Sequence, residues 1–345
     1  MSIVDSSAQF LQTVSPVFPK KVHKLLVFGY KALSLQRIQS VNSNARSTVA
    51  NTNTAESKAY RLGCSKLLRR AFPKLISHLG LVRNGDIIAV DFSDFGIVQV
   101  LMFAKQTHSG RALPIWFAVL PYGWTEETSQ NTFVVQAIRQ FLHLVPGGVR
   151  LVFDRGFACP TITGYLARQG ILFYQRIKGD KKVLGRKGGK KAREFGTGKH
   201  PIWVYGHRLN LVVTLEPDVR MKTSGKAKEP WFIVTNDLEA SAEEVTEIYY
   251  HRFEIEEVFK DAKHLFGLEY VQFKKPERLT TVLWFVMLGM WLHLHLEQTI
   301  QVSRDVVQKT KHSFAQGRTH YWIEKIRFEL QAQALALITI TPNRT

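Results

Sequence analysis

The chain has 345 residues, 45% of them apolar, which at ~150 residues per domain is enough for two or three domains with a substantial core. Its 47 Lys and Arg outnumber its 28 Asp and Glu, and the net charge of +19 makes nucleic acid the leading partner, because such an excess attracts polyanions. Two cysteines, Cys64 and Cys159, exclude a disulfide framework and lack the paired spacing of a zinc site. We therefore expect a reducing, cytoplasmic setting.

The first 80 residues are basic and carry apolar positions at helical spacing over 18–38 and 60–79. A polar stretch rich in Ser, Asn and Thr, residues 40–57, separates them and indicates a loop. The N-terminus lacks a basic start followed by a long apolar run, so a signal peptide is not predicted. We predict a helical DNA-binding segment over 1–80, although an N-terminal cap on the main domain explains the pattern equally well.

From Asp86 the pattern changes to strands. Three β-rich runs separated by turn residues predict an antiparallel meander: 87–92, 97–103 and 113–120. Alternating helices and strands are predicted next: a helix over 126–144, a strand over 149–153, a helix over 162–169 and a strand over 171–177. The order β-β-β-α-β-α-β is that of an RNase H-like core, which we place at residues 81–177.

Residues 178–235 are predicted to form a β-rich insertion that carries a basic loop. Nine cations within 178–199 face only two acids, Asp180 and Glu194, and glycines are scattered among them. Strand-like runs follow at 201–205, 209–215 and 231–235. A basic loop of this kind would contact a DNA backbone, through cations that include Lys187, Lys190 and Lys191.

Helices are predicted again in the last third of the chain, over 242–266, 277–299 and 320–335. We assign 236–270 to the core and 271–345 to a helical C-terminal segment. The most apolar run, 282–296, is shorter than the ~20 residues of a membrane span and carries His293 and His295. It is predicted to be a buried core helix, and no membrane partner is expected.

Two aspartates follow apolar strands directly. Asp91 ends the run Ile-Ile-Ala-Val, and Asp154 ends the run Leu-Val-Phe. In an RNase H-like sheet these strands are neighbours, so both carboxylates would meet at one edge. Such acids can hold two divalent ions for phosphodiester chemistry. Taken alone, an acid at a strand end is more often a turn residue or a helix cap.

A third acid, Glu256, lies on the helix predicted over 242–266. Four residues of this helix are spaced by three, four and seven positions: Tyr249, Arg252, Glu256 and Lys263. On a helix that turns ~100° per residue they share one stripe beside the apolar face. On spacing alone, a solvated helix with ion pairs between residues four positions apart explains the stripe at least as well.

These residues resemble a known family. The spacing Tyr249-x2-Arg252-x3-Glu256-x6-Lys263 is similar to the signature of the DDE transposases of bacterial insertion sequences, in the family numbered four. Asp91 and Asp154 precede it in the order and approximate separation of that family. The motifs span residues 86–266, and outside that range the resemblance is only architectural.

The resemblance implies an RNase H-like catalytic domain interrupted by a β-rich insertion. Asp91, Asp154 and Glu256 would bind two Mg²⁺ ions, with Mn²⁺ as a substitute. Three residues would hold phosphates at the cleaved transposon end: Tyr249, Arg252 and Lys263. Trp231 resembles the tryptophan that stacks on a flipped base, although a tryptophan in an apolar strand is as readily a core residue.

The implied reaction is cleavage of double-stranded DNA at the element's ends, followed by attack of the freed 3′-hydroxyl on a second phosphodiester. Relatives pass through a hairpin end before strand transfer into target DNA. Synapsis of two ends implies a homodimer, and the implied location is the bacterial cytoplasm beside the nucleoid. The terminal repeats, the target sequence and the formation of a hairpin are left open by the sequence.

Three alternatives stay open. A structure-selective nuclease would use the same fold without joining ends, a transposase-derived protein would bind DNA without catalysis, and an RNA-binding structural protein would explain the charge alone. Other acids and histidines near the site are interpreted as surface or core residues: Asp94, Glu257, Asp261, His251 and His264.

Overall fold

The computed structural model describes residues 9–10, 12–18, 65–95, 98–108, 110–120, 129–185, 188–215, 230–265, 268 and 276–299. These residues divide into two compact units. The sheet unit comprises Gly80–Asp94 and Val98–Val258, and the helical unit comprises the described residues of Met1–Leu79, Phe95–Ile97 and Phe259–Thr345. The predicted helix over 320–335 and the first predicted helix, 18–38, lie outside the described residues apart from Phe18.

The sheet holds ten strands in the part of the chain that is described. In chain order they are β1 Ile87–Phe95, β2 Val98–Lys105, β3 Leu113–Val119, β4 Arg150–Phe153, β5 Phe173–Arg176, β6 Lys182–Gly185, β7 Gly188–Lys191, β8 Gly198–Val204, β9 His207–Leu215 and β10 Pro230–Thr235. Their spatial order is β3-β2-β1-β4-β5-β10-β9-β8-β6-β7. The predicted α/β class is therefore confirmed.

The strand directions divide the sheet. β1, β4 and β5 run parallel to one another, whereas β10 is antiparallel to β5, and β9, β8, β6 and β7 continue the antiparallel pairing outward. Parallel neighbours need crossover connections, and helices supply them between these strands. β8 and β9 are linked by a short turn that uses Tyr205 at φ 51 and Gly206 at φ 79.

The helices are α1 Ser65–His78, α2 Gln130–Leu142, α3 Pro160–Arg168, α4 Ala242–Tyr250, α5 Glu254–Lys260 and α6 Pro276–Thr299. α2 begins after Ser129, whose hydroxyl accepts from the amide of Thr132; the sequence predicted a start near Thr125. α4 begins after Ser241, as predicted, and Ser241 accepts a hydrogen bond from the amide of Glu244. Such caps satisfy amides that lack a partner inside the helix.

Two predicted elements differ from the structure. The basic stretch after residue 178 was predicted to be a loop, yet it contains the hairpin of β6 and β7. The helix predicted over 242–266 is not continuous, because a 3-10 turn at His251–Phe253 separates α4 from α5 and a π-helical turn follows at Asp261–Leu265. Charge and glycine content masked the hairpin, and a regular periodicity cannot reveal a local change of helix type.

The core under α4 is apolar and well packed. α4 lies against β5, β9 and β10, and Trp231, Tyr174 and Val245 are all almost fully buried there. Each apolar side chain of this size contributes ~1.5–3 kcal/mol when it is removed from water. This burial fixes α4, and with it the residues that follow Tyr250, on the sheet.

The helical unit has its own aromatic core. The ring of Phe72 on α1 stacks on that of Trp284 on α6, with centroids 5.0 Å apart, and residues 281–289 of α6 are buried, as predicted for a core helix. None of the helices in the described residues has the length and apolarity that crossing a membrane requires.

Candidate active site: three carboxylates around Arg252

β1 and β4 bring the two predicted aspartates together. Val90 pairs with Phe153 in the parallel register, so the next residues, Asp91 and Asp154, lie at adjacent positions on neighbouring strands. β1 was predicted to end at this point, but it continues to Phe95. The ring of Phe92 stacks on that of Phe157 with centroids 5.4 Å apart, which fixes the segment after Asp154 against β1.

Arg252 joins the strands to the helix. Its Nη1 donates to Oδ2 of Asp91 at 3.0 Å and its Nη2 donates to Oε1 of Glu256 at 2.8 Å. The Arg252 side chain is only 4% exposed, and its guanidinium carbon lies 4.1 Å from the centre of the Phe253 ring. One buried cation therefore connects two carboxylates that are far apart in sequence.

The ion pairs of Arg252 differ from those of the solvated helix that the spacing alone allowed. The ion pair between Arg252 and Glu256 is present, but Arg252 and Tyr249 are buried rather than at the edge of the buried face. The 3-10 turn at His251–Phe253 holds Arg252 between the helices. A surface pair contributes a few tenths of a kcal/mol, whereas leaving a buried charge such as that of Arg252 without its partners costs about 3–5 kcal/mol.

Tyr249 contacts the remaining carboxylate. Its hydroxyl donates to Oδ1 of Asp154 at 3.3 Å, and its ring packs edge-to-face on Trp231 with centroids 5.1 Å apart. Burial raises the pKa of the Tyr249 hydroxyl above its ordinary range, so the group keeps its proton and remains a hydrogen-bond donor at neutral pH.

Burial and neighbouring charges shift the pKa values of Asp91 and Arg252. Burial raises the pKa of Asp91 to about 6, against the opposing effects of Arg252 and of the Phe92 amide, and the charges of Asp154 and Glu256 raise it further. For Arg252, burial acts to lower the pKa, but the surrounding acidic groups outweigh it and raise the pKa. Asp154 and Glu256 are thus close enough to Asp91 to repel its charge, and Arg252 balances part of that repulsion.

The donor set fits a hard divalent cation. Asp91, Asp154 and Glu256 offer only carboxylate oxygens, the ligands that suit Mg²⁺. Asp154 precedes the 3-10 turn at Arg155–Phe157, but its side chain makes no capping hydrogen bond there, so capping does not account for this acid. A bound cation would stabilise the charged form of Asp91, whose pKa the neighbouring carboxylates raise.

The remaining predicted site residues differ in their burial and in their neighbours. Lys263 belongs to the helical unit, where its ammonium is 5.4 Å from the centre of the Phe95 ring. Trp231 is 1% exposed, which matches the core interpretation of this residue rather than an accessible stacking platform. Lys190 and Lys191 are half-buried on β7, with the Lys190 ammonium 4.7 Å from the Phe195 ring centre. Lys187 lies outside the described residues.

Glu254 and Trp203 were not predicted from the sequence as residues of interest. Glu254 is buried, and its carboxylate accepts from the amides of Thr107 and Gly110 at 2.9 and 3.2 Å, which fixes the loop between β2 and β3. The only indication of this role in the sequence was the position of the acid next to Ile255, a residue of the apolar helix face. Trp203 on β8 is 52% exposed and pairs with the exposed Leu184; only the tertiary structure distinguishes it from a core tryptophan.

Comparison with known proteins gives a family. A family model described as "Transposase DDE domain" matches residues 97–292, more than half of the chain. The match begins after Asp91 and includes Asp154 and Glu256. No curated protein matches the chain. Among solved structures, the cryo-EM structure of the piggyBac transposase synaptic complex with hairpin DNA is 11% identical, with a TM-score of 0.46, over 93% of this chain and 76% of that chain.

Proposed function

This chain belongs to the transposase DDE domain family, which makes it a DNA-cleaving enzyme, and from that membership we propose that it cuts and joins the ends of its own mobile element. It would bind the element's ends, cleave the DNA and join the 3′-hydroxyl ends to target DNA. The observation that carries the proposal is the convergence of Asp91 and Glu256 on Arg252, beside Asp154. Within the family, the spacing from Tyr249 to Lys263 favours the insertion sequences of family four.

An RNase H-like core is the fold that best supports this chemistry. The order β3-β2-β1-β4-β5, with β1, β4 and β5 parallel, supports it. β6–β10 lie between β5 and α4 in the chain and extend the sheet beyond β5. In this proposal they would form the β-rich insertion that the sequence predicts before the helix of the last acid.

Asp91, Asp154 and Glu256 would hold two Mg²⁺ ions, for which Mn²⁺ can substitute. When bound, the two ions activate the attacking oxygen and stabilise the leaving one. The adjacent positions on β1 and β4 support this assignment, because rigid strands hold ligands more precisely than loops do. The partial burial of Asp91 beside the buried Arg252 strengthens the charge interaction between them.

Arg252 and Tyr249 would bind the cleaved end. A guanidinium presents parallel donors that match a phosphate, and Arg252 already uses two of its nitrogens on carboxylates. Cations bound to those carboxylates would replace its partners and leave these nitrogens for DNA. Tyr249 stays protonated because its pKa is raised, so it can donate to a phosphate oxygen. Lys263 would add a further positive charge.

Cations on the outer strands would bind the DNA backbone. Exposed or half-buried basic side chains lie on β6, on β7 and on the turn after β7: Lys182, Lys190, Lys191 and Arg193. Contacts of this kind recognise phosphate rather than sequence, and their affinity falls steeply with salt. Synapsis of two ends would require two copies of the chain, and a hairpin intermediate is the proposed route to strand transfer.

The test is incubation of the protein with Mg²⁺ and the DNA ends that flank its gene, comparing wild type, Glu256→Gln and the matched variant Glu257→Gln. We expect wild type and Glu257→Gln to nick the ends and join them to a target plasmid. Glu256→Gln should bind the same DNA but lose cleavage by at least about 1,000-fold, because a metal ligand is gone.

Each outcome decides between the candidate functions. Strand transfer that survives in Glu256→Gln overturns the assignment of the three carboxylates. Nicking by wild type without any joining points to a structure-selective nuclease instead. DNA binding without cleavage by wild type, in Mg²⁺ or Mn²⁺, points to a transposase-derived protein that has lost catalysis.

A further inference from the structure

A second group of ligand-type side chains lies outside the three carboxylates. It consists of His108 on the loop between β2 and β3, Glu247 on α4 and His251 at the start of the 3-10 turn, and we call it the histidine cluster. One donor atom from each of the three residues lies within 4.8 Å of the others. The proposed transposase function assigns no role to any of them.

The buried Glu254 sets the orientation of His251. Nδ1 of His251 lies 2.9 Å from Oε1 of Glu254, whose side chain is only 6% exposed. A carboxylate accepts and cannot donate, so Nδ1 carries the hydrogen in this contact. The second nitrogen, Nε2, is then directed away from Glu254 with its lone pair available. A carboxylate that fixes a histidine in this way is the usual support of a metal-bound imidazole.

Nε2 of His251 faces another anion. It lies 3.1 Å from Oε1 of Glu247. With Nδ1 as the donor to Glu254, a neutral ring would place two lone pairs in contact, and a cation between them would remove this repulsion. That cation is either a proton on Nε2 or a metal ion shared with Glu247.

His108 is the third member of the histidine cluster and lies against the ring of His251. Its ring packs edge-to-face on that of His251 with centroids 4.1 Å apart. The backbone of His108 has φ 57, a left-handed conformation that non-glycine residues seldom adopt and that is common at binding sites. The same Glu254 carboxylate accepts from the amide of the preceding Thr107, and Gln106 donates to the carbonyl of Ile248 at 3.0 Å.

We propose that His108, Glu247 and His251 bind a Zn²⁺-class ion, with one coordination position left open. Two imidazoles and one carboxylate form a ligand set that zinc accepts in tetrahedral sites, whereas Mg²⁺ prefers oxygen ligands only. This site is therefore chemically distinct from the three carboxylates. A bound ion would tie the β2–β3 loop to the helices that flank Arg252 and stiffen this segment.

The test measures zinc binding by the full-length protein after chelation and dialysis, with excess Mg²⁺ present so that oxygen-only sites are filled. Zn²⁺ is titrated against a chromogenic chelator, and Co²⁺ is used in parallel for its visible absorption. The variants are His108→Ala, His251→Gln and Glu247→Gln, with His143→Ala as the matched control, since His143 is exposed at the end of α2.

We expect wild type and His143→Ala to bind Zn²⁺ and to show the absorption of tetrahedral Co²⁺, with a melting temperature that rises on addition of zinc. Each cluster variant should lose the absorption and the rise in melting temperature, and its affinity should fall at least about 10-fold. If His251→Gln fails to fold, His108→Ala still decides the question, because His108 lies on an exposed loop.

Equal zinc affinity in wild type and His108→Ala overturns the proposal. So does a wild type that binds no zinc at neutral pH, which would leave a proton as the cation between His251 and Glu247. Loss of zinc in Glu256→Gln with full binding in the histidine variants would place the ion at the three carboxylates instead. None of these readouts uses DNA cleavage, so the result is independent of the proposed function.

Discussion

The carboxylate site and the outer strands of the sheet place charge in opposite ways. In the carboxylate site, Asp91 of β1 and Glu256 of α5 are bound by one buried arginine. On β6 and β7, cations are exposed or half-buried along an antiparallel hairpin. Buried charges are fixed in position, which favours catalysis, whereas exposed cations favour binding to a flexible polyanion. One continuous sheet provides both environments, since burial differs from strand to strand.

Neutralising one arginine in each region should give the largest difference between the two regions. Arg252→Gln leaves the partly buried Asp91, and Glu256 at the margin of the site, without their shared cation, so the free energy of unfolding without metal should fall by about 3–5 kcal/mol. Arg193→Gln, on the exposed turn after β7, should change it by less than about 0.5 kcal/mol. Urea unfolding of both variants in chelator, followed by fluorescence, checks this.

The same pair of variants separates stability from DNA binding. Excess Mg²⁺ should raise the unfolding midpoint of Arg252→Gln more than that of wild type, because the ion restores positive charge among the carboxylates. Arg193→Gln should reduce the slope of log affinity for DNA against log salt by about 1. Equal stability losses in the two variants would contradict the division into a buried site and a solvated binding surface.

A smaller effect concerns pH. Asp91 titrates with a pKa of about 6 in the folded protein against an ordinary value of 3.8, so between these values the folded state binds more protons than the unfolded state. The stability contributed by protonated Asp91 is present below pH ~4 and is lost as pH rises through ~6, by about 2–3 kcal/mol.

Asp91→Asn removes this titration. The difference in unfolding free energy, variant minus wild type, should therefore become more positive by about 2–3 kcal/mol between pH ~4 and pH ~6 in chelator. Urea titrations at several pH values measure it, and Asp94→Asn, on an exposed part of β1, serves as control. A difference that stays constant with pH would mean that Asp91 is not desolvated.

The smallest effect compares two buried tyrosines. The Tyr174 hydroxyl donates to Asp237 at 2.7 Å, and the Tyr249 hydroxyl donates to Asp154 at 3.3 Å. Tyr174→Phe should lower the unfolding free energy by about 1–2 kcal/mol, and Tyr249→Phe by less than about 0.5 kcal/mol. If Tyr249 binds the DNA end, its variant alone should also lose cleavage. A larger stability loss in Tyr249→Phe would indicate a structural hydroxyl.

Much of the inner sheet could be predicted from local pattern. The apolar runs before Asp91 and Asp154, and Ser241 as the cap of α4, are local features, and the elements lie where they indicate. The β6–β7 hairpin was missed because its glycines and cations resemble a loop. The broken helix around Arg252 was missed because its cause is packing against the sheet rather than its own spacing.

The sequence by itself determined which chemical groups are available: an excess of positive charge, two aspartates after apolar strands, and a helix that carries Tyr249, Arg252 and Glu256. Only the tertiary structure decided which of them meet. It buried Arg252 between Asp91 and Glu256 and placed Trp231 in the core. It also fixed His108 beside His251 through Glu254. Spacing describes neighbours along one element, whereas burial and charge pairing depend on residues that are far apart in the chain.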